Sequence, residues 1–91
     1  MSSMKREVKN ILGMPLDEWK HKSCTAHFSV FPDEATLYDI VSKEPNKGHA
    51  FELLSFAKEY YEKRDKKVMG TVALNEKMSR LYKKIGIGEY K

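Results

Sequence analysis

No stretch of this chain stays apolar for more than a few residues, far short of the ~18 that a membrane-crossing helix requires. The N-terminal MSSMKREVKN carries no apolar signal core, and a single cysteine, Cys24, excludes an internal disulfide. These absences predict a cytoplasmic protein in a reducing compartment, with no membrane partner. Repeats, low-complexity tracts and Pro/Gly/Ser-rich linkers are missing as well. With 91 residues the chain is too short for two ordinary domains, so a single domain over 1–91 is expected.

What is present is an ordinary core fraction, 41% hydrophobic, beside 33% charged residues and a net charge of +4. The basic residues alternate with acids, as in EKRDKK and DEWKHK, which reads as solvated faces more than as an anion-binding stripe. A nucleic-acid binder therefore rests only on net charge and scattered aromatics, and is placed last. A domain of this size buries only about 60–65% of its unfolded surface, so an exposed strand edge is readily covered by a second copy and a homodimer is a candidate assembly.

The elements follow from spacing. Val8, Ile11 and Leu12 fall at helical intervals before Gly13, and PLDEWKHK places Pro15 in a first-turn position with Leu16 and Trp19 three apart. An N-terminal helical segment over 1–22 is expected. SCTAHFSVF alternates, PDE is turn chemistry and ATLYDIVS alternates again, which predicts an antiparallel hairpin. From Gly48 to about Arg64, Ala50, Leu53, Leu54, Ala57 and Tyr61 form one apolar stripe. KKVMGTVAL is a further strand, and Asn75 caps a closing helix that runs to about Ile85. The fold class is α+β or α/β: a mixed twisted sheet with a β-hairpin, a central helix and a C-terminal helix.

HKSCTAH brings His21, Cys24 and His27 close in sequence, all zinc-ligand types. On a continuous strand a three-residue step changes face, which turns Cys24 away from both histidines. With no fourth ligand evident, no metal site is expected, and Cys24 reads as a small buried hydrophobe.

SKEPNKGHAFELL runs from a strand through a glycine turn into a long helix. The free N–H groups of a helix's first turn and its dipole favour anions, so such a junction can hold a pyrophosphate. Gly48 permits close backbone approach, Ala50 keeps the next contact small, and Asn46 and Lys47 offer a donor and a charge. A glycine near a helix start is also a common turn residue, and both readings stand.

The second half carries a more specific pattern. NEKMSRLYKKIG places Asn75, Met78, Leu81, Tyr82, Lys84, Gly86 and then Ile87 at the spacing N-x-x-A-x-x-L-Y-x-K-x-G-F, with Met for Ala and Ile for Phe. Together with the earlier G-x-A at Gly48 and Ala50, this resembles the GNAT superfamily of acetyl-CoA-dependent N-acetyltransferases, over roughly Ala35 to Lys91 and less closely over Cys24 to Phe31. The resemblance implies a truncated GNAT-like fold with acetyl-CoA lodged where two parallel strands splay apart. Its pyrophosphate would rest on amides around Asn46, Lys47, Gly48, His49 and Ala50, and its pantetheine arm near Asn75. It also implies that Tyr82 protonates the departing thiolate. Spacing alone reads Tyr82, one turn from Met78 and Ile85, as a core or boundary tyrosine, and Asn75 equally as a helix cap.

The pattern departs from the family at Pro45, which stands where Q/R is usual, and at His49, where an apolar residue is usual. Met1 to Ser23 is also shorter than the family's first strand and paired helices, so the acceptor site is expected to be open or shared and to suit a protein or another macromolecule. No general base is identified; Asp39 and Glu44 are acids at or just after the bordering strand. The expected function is acetyl transfer to an amine. The alternative is a catalytically degenerate GNAT-like protein that acts as a binding or interaction module.

Overall fold

The computed structural model describes residues 4–44, 48–71 and 76–89. Its elements are β1 (Lys5–Ile11), β2 (Met14–His21), β3 (Cys24–Val30), β4 (Glu34–Ser42), α1 (His49–Glu62), β5 (Lys67–Gly70), α2 (Glu76–Ile85) and β6 (Gly88–Glu89). The strands form one mixed sheet in sequence order: β1 to β4 are antiparallel, while β4, β5 and β6 run parallel through the α1 and α2 crossovers.

The expected hairpin is present as β3 and β4, closed by a turn in which the Phe31 N–H donates to the Glu34 carbonyl at 2.7 Å. The central helix stands where its apolar stripe places it, and the expected closing helix is present and ends at Ile85. In α1 the buried stripe is Leu53, Leu54, Ala57 and Tyr61, while α2 buries Tyr82. Gly86, at φ 87°, ends α2, its N–H and that of Ile87 both donating to the Tyr82 carbonyl.

The N-terminal helical segment is corrected to a second hairpin. Lys5–Ile11 and Met14–His21 are strands, joined by Leu12 and Gly13 at φ 51° and 81°. Two consecutive positive φ values make the turn whose twist matches antiparallel strands, so Gly13 closes a hairpin instead of stopping a helix. The three-residue step from Leu16 to Trp19 fits a helix, but the deciding period is 2: Asp17, Trp19 and His21 are all buried. Pro15 lies one residue outside the β2–β3 register, which begins at Leu16, and its missing N–H therefore breaks no ladder bond there.

Both helices lie on one face of the sheet. Trp19 pairs with Ala26, and Phe28 with Leu37, on that face; they pack with Leu53, Leu54, Ala57 and Tyr61 into the core. Each large side chain so enclosed contributes roughly 1.5–3 kcal/mol. The Trp19 indole N–H donates to the Tyr61 hydroxyl at 3.0 Å, and that hydroxyl donates to Asp17 Oδ2 at 2.6 Å. Asp17 also meets Arg6 Nε at 3.3 Å, so the buried carboxylate is balanced by a cation. Burial, with the Asp17 hydrogen bond, pushes the Tyr61 phenol pKa upward and keeps it neutral. No helix among the described residues is long and apolar enough to cross a membrane.

Candidate functional site

The site begins with a defect in β4. His27 pairs with Asp39 and Phe28 with Leu37, so Tyr38 is an extra residue in a bulge and stands 54% exposed. A bulge bends its strand and interrupts pairing. Here β4 pairs with β5 from Glu34 to Leu37, and the last link is the Thr71 N–H to the Leu37 carbonyl at 3.3 Å. Beyond that point β4 continues to Ser42 along β3, with no β5 partner among the described residues. Among the described residues the β4–β5 ladder thus runs only as far as the bulge.

Beside the C-terminal half of β4 lies a cavity of about 450 Å³. Ile40 and Ser42 of β4 line one side, Gly48, Ala50 and Phe51 of the α1 start another, and α2 closes it with Met78, Leu81 and three cations, Lys77, Arg80 and Lys84. Gly48 is the N-cap of α1 at φ 77°, with no side-chain cap bond, and an added Cβ there would meet nothing within 4 Å. The dihedral selects glycine at this position, at the end of α1 whose first-turn amides and dipole favour an anion. Lys84 Nζ lies 4.8 Å from the Phe51 ring centre, linking α2 to the α1 start. The result is an apolar trough with positive charge on one wall.

Of the expected ligand contacts, Gly48 and Ala50 line the cavity. His49 does not: its Nδ1 lies 3.1 Å from Ser23 Oγ and its ring 6.0 Å from the ring of His21, so the side chain faces the β2–β3 turn. Its place at the first position of α1 keeps its backbone with the helix start. Asn46, Lys47 and Asn75, along with Pro45, lie outside the described residues. Tyr82, next to the lining residue Leu81, is itself buried at 2% exposure, its ring against Gly70, where an added Cβ would stand 2.6 Å from Cζ. Gly70 pairs with Leu37, the neighbour of the bulged Tyr38, so this tyrosine sits at the bulge end of the described β4–β5 ladder.

The sequence reading passed over the cationic wall of α2. Lys77, Arg80 and Lys84 recur at i, i+3 and i+7, which was the available signal; they look like solvated charge until α1 is placed opposite. Ile40 and Ser42 were equally hidden, because their role depends on α1 and α2 being placed beside the end of β4.

The HKSCTAH segment also differs from expectation. Lys22 and Ser23 form a turn, so His21 and Cys24 are directly paired across it and share a face; His27 lies on the other face. Burial pushes the Cys24 thiol up to about 11, which keeps it protonated and inert. No group of metal-ligating side chains suited to a metal ion occurs among the described residues.

On the helix-free face, His27 bridges two carboxylates, with Nδ1 2.6 Å from Asp39 and Nε2 3.0 Å from Glu18. Burial disfavours the charged ring, but the hydrogen bonds to Asp39 and Glu18 and their charges outweigh it and raise the His27 pKa. The His27 hydrogen bond in turn lowers the pKa of Glu18. The cluster lies beside the bulge, Asp39 being the neighbour of Ile40 on β4. No family model matches this chain, and the comparisons with curated proteins and solved structures give no match either.

Proposed function

We propose that the chain binds acetyl-CoA in the cavity between β4 and the two helices and acts as an N-acetyltransferase on a shortened GNAT-like plan. The observation that carries this reading is the cavity beside the C-terminal half of β4, in which an apolar lining meets the glycine-led start of α1 and a wall of cations. The residues present fit the group. Ile40, Ala50, Phe51, Met78 and Leu81 suit a narrow apolar arm, while the α1 amides with Lys77, Arg80 and Lys84 suit phosphates.

When bound, acetyl-CoA supplies an activated acetyl thioester. The chain's contribution is positional and electrostatic. Tyr82 holds a proton at its hydroxyl beside Gly70, and we assign that proton to the leaving sulfur. An amine acceptor on a macromolecule suits the helix-free face of the sheet, where Asp39 and Glu18 attract a cation.

The second reading is a module that binds without catalysis, and the 2% exposure of Tyr82 favours it. Amide NMR titrations with acetyl-CoA and with coenzyme A test the site. Shifts over Gly48–Phe51 and Lys77–Lys84 are expected, and their absence for both ligands would overturn cofactor binding. Saturable binding with no acetyl transfer to any amine-bearing peptide or protein supplied would leave the second reading.

A further inference from the structure

Among the described residues the sheet has one long bare edge. There β1 pairs with β2 on one side only, contains no proline or bulge, and leaves Val8 66% exposed. Such an edge is a template for another strand unless something blocks it. The blocking charges here are Lys5, Arg6 and Lys9, and their effect depends on register.

The hairpin fixes which backbone groups face outward. Leu12 and Gly13 make a two-residue loop, so the flanking Ile11 and Met14 exchange their backbone hydrogen bonds. Alternation then directs the groups of Lys9, Glu7 and Lys5 toward β2, and those of Arg6, Val8 and Asn10 away from the sheet. Side chains alternate too. Arg6 stands opposite Trp19 on the helix face, whereas Glu7 stands opposite Glu18 on the other face, shared by Lys9.

We propose that two copies of this chain join through their β1 edges, antiparallel about a two-fold axis at Val8, to make one continuous sheet. In this register Val8 meets Val8, Arg6 meets Asn10 and Glu7 meets Lys9, the last two pairs occurring twice by symmetry. Every outward-facing residue of β1 then meets another outward-facing residue. Glu7 and Lys9 fall at the non-hydrogen-bonded positions, where side chains approach most closely. Within one copy Glu7 Oε2 and Lys9 Nζ already lie 3.1 Å apart on a common face, so the symmetric pair produces four alternating charges.

Other axes are selected against. An axis at Glu7 sets Glu7 against Glu7 and Lys5 against Lys9, and an axis at Lys9 sets lysine against lysine. Moving it to Arg6 opposes two arginines and pairs only residues 5–7; moving it to Asn10 pairs only 9–11 with no opposite charges. Val8 is the axis that pairs the whole strand with charge complementarity. The lysines that repel other strand edges therefore admit a second copy.

Sedimentation equilibrium on the full chain tests this. A dimer is expected. Glu7→Lys and Lys9→Glu should each weaken it at least ~10-fold, and the double exchange Glu7→Lys/Lys9→Glu should restore it to within about threefold. Val8→Pro should give a monomer with an unchanged circular dichroism spectrum, because the Val8 N–H faces away from β2. A monomer at every concentration, or a dimer indifferent to the single charge reversals and to Val8→Pro, would overturn the proposal.

Discussion

Gly70 and Tyr82 are fitted to each other: the phenol ring occupies the space that a side chain on β5 would take, 2.6 Å from an added Cβ. Gly70→Ala must therefore push the ring off the strand. We expect it to destabilise the fold by about 1–3 kcal/mol, measured by denaturant unfolding. A smaller partner, as in Gly70→Ala/Tyr82→Leu, should make the two changes non-additive. Strict additivity would show that the ring accommodates the methyl elsewhere.

The same tyrosine separates packing from chemistry. Tyr82→Phe keeps the ring on Gly70 and removes only the hydroxyl. The proposed proton donor predicts a fall in turnover of about 10²-fold, with acetyl-CoA affinity within about twofold of the parent because the cavity lining itself is left unchanged. Steady-state rates beside a binding titration check both halves. Unchanged turnover would remove Tyr82 from the chemistry.

Tyr61 ties the first hairpin to α1. Its hydroxyl accepts from Trp19 and donates to Asp17, whose carboxylate is buried at 6% exposure. Tyr61→Phe leaves the Trp19 N–H and one side of that carboxylate without this partner, and should cost about 1–3 kcal/mol. Adding Asp17→Asn should cost less in the Tyr61→Phe background than in the parent, which a double-mutant cycle by thermal and denaturant unfolding measures.

This network also shows why part of the fold was hidden in the sequence. The β3–β4 hairpin and the apolar stripe of α1 were legible because alternation and the 3.6 period persist over enough residues to exclude each other. In the first hairpin the period-2 set is Asp17, Trp19 and His21, two of them polar types. A binary pattern scores these as exposed, yet Arg6, Tyr61 and Glu52 supply the partners that let them go inside. At the site, Gly48 and Ala50 could be read because backbone geometry leaves a local signature. The cations of α2 could not, since their meaning depends on the β4 bulge, a tertiary feature that Tyr38 does not announce.

His27 makes stability depend on pH in a defined direction. Its folded pKa is raised from 6.5, so its contribution is complete below that value and is lost as pH rises through the folded pKa. The Glu18 pKa is lowered from 4.5, so its contribution is complete above that value and is lost as pH falls through the folded pKa. The cluster is strongest between the two titrations, where both partners are charged. His27→Gln should remove the alkaline loss, leaving a flatter stability profile above neutrality, as unfolding free energies across about pH 5–9 would record. An identical slope in parent and variant would mean that another group causes it.

The cationic wall of α2 separates the phosphate-bearing part of the proposed ligand from its apolar arm. Lys77, Arg80 and Lys84 of one helix line the same cavity as the first turn of α1, and no acid lines that cavity among the described residues. Neutralising Arg80 or Lys84 to Gln should therefore weaken coenzyme A by about 3–10-fold each, and raising the salt concentration should shrink that difference as the phosphates are screened. Pantetheine, which has the arm without the phosphates, should bind parent and variants alike. Calorimetric titrations of both ligands decide between two origins for the affinity. Equal losses for pantetheine and coenzyme A would assign Arg80 and Lys84 to packing around the trough, whereas a loss confined to coenzyme A would assign them to its phosphates and align the pyrophosphate with the Gly48 end of α1.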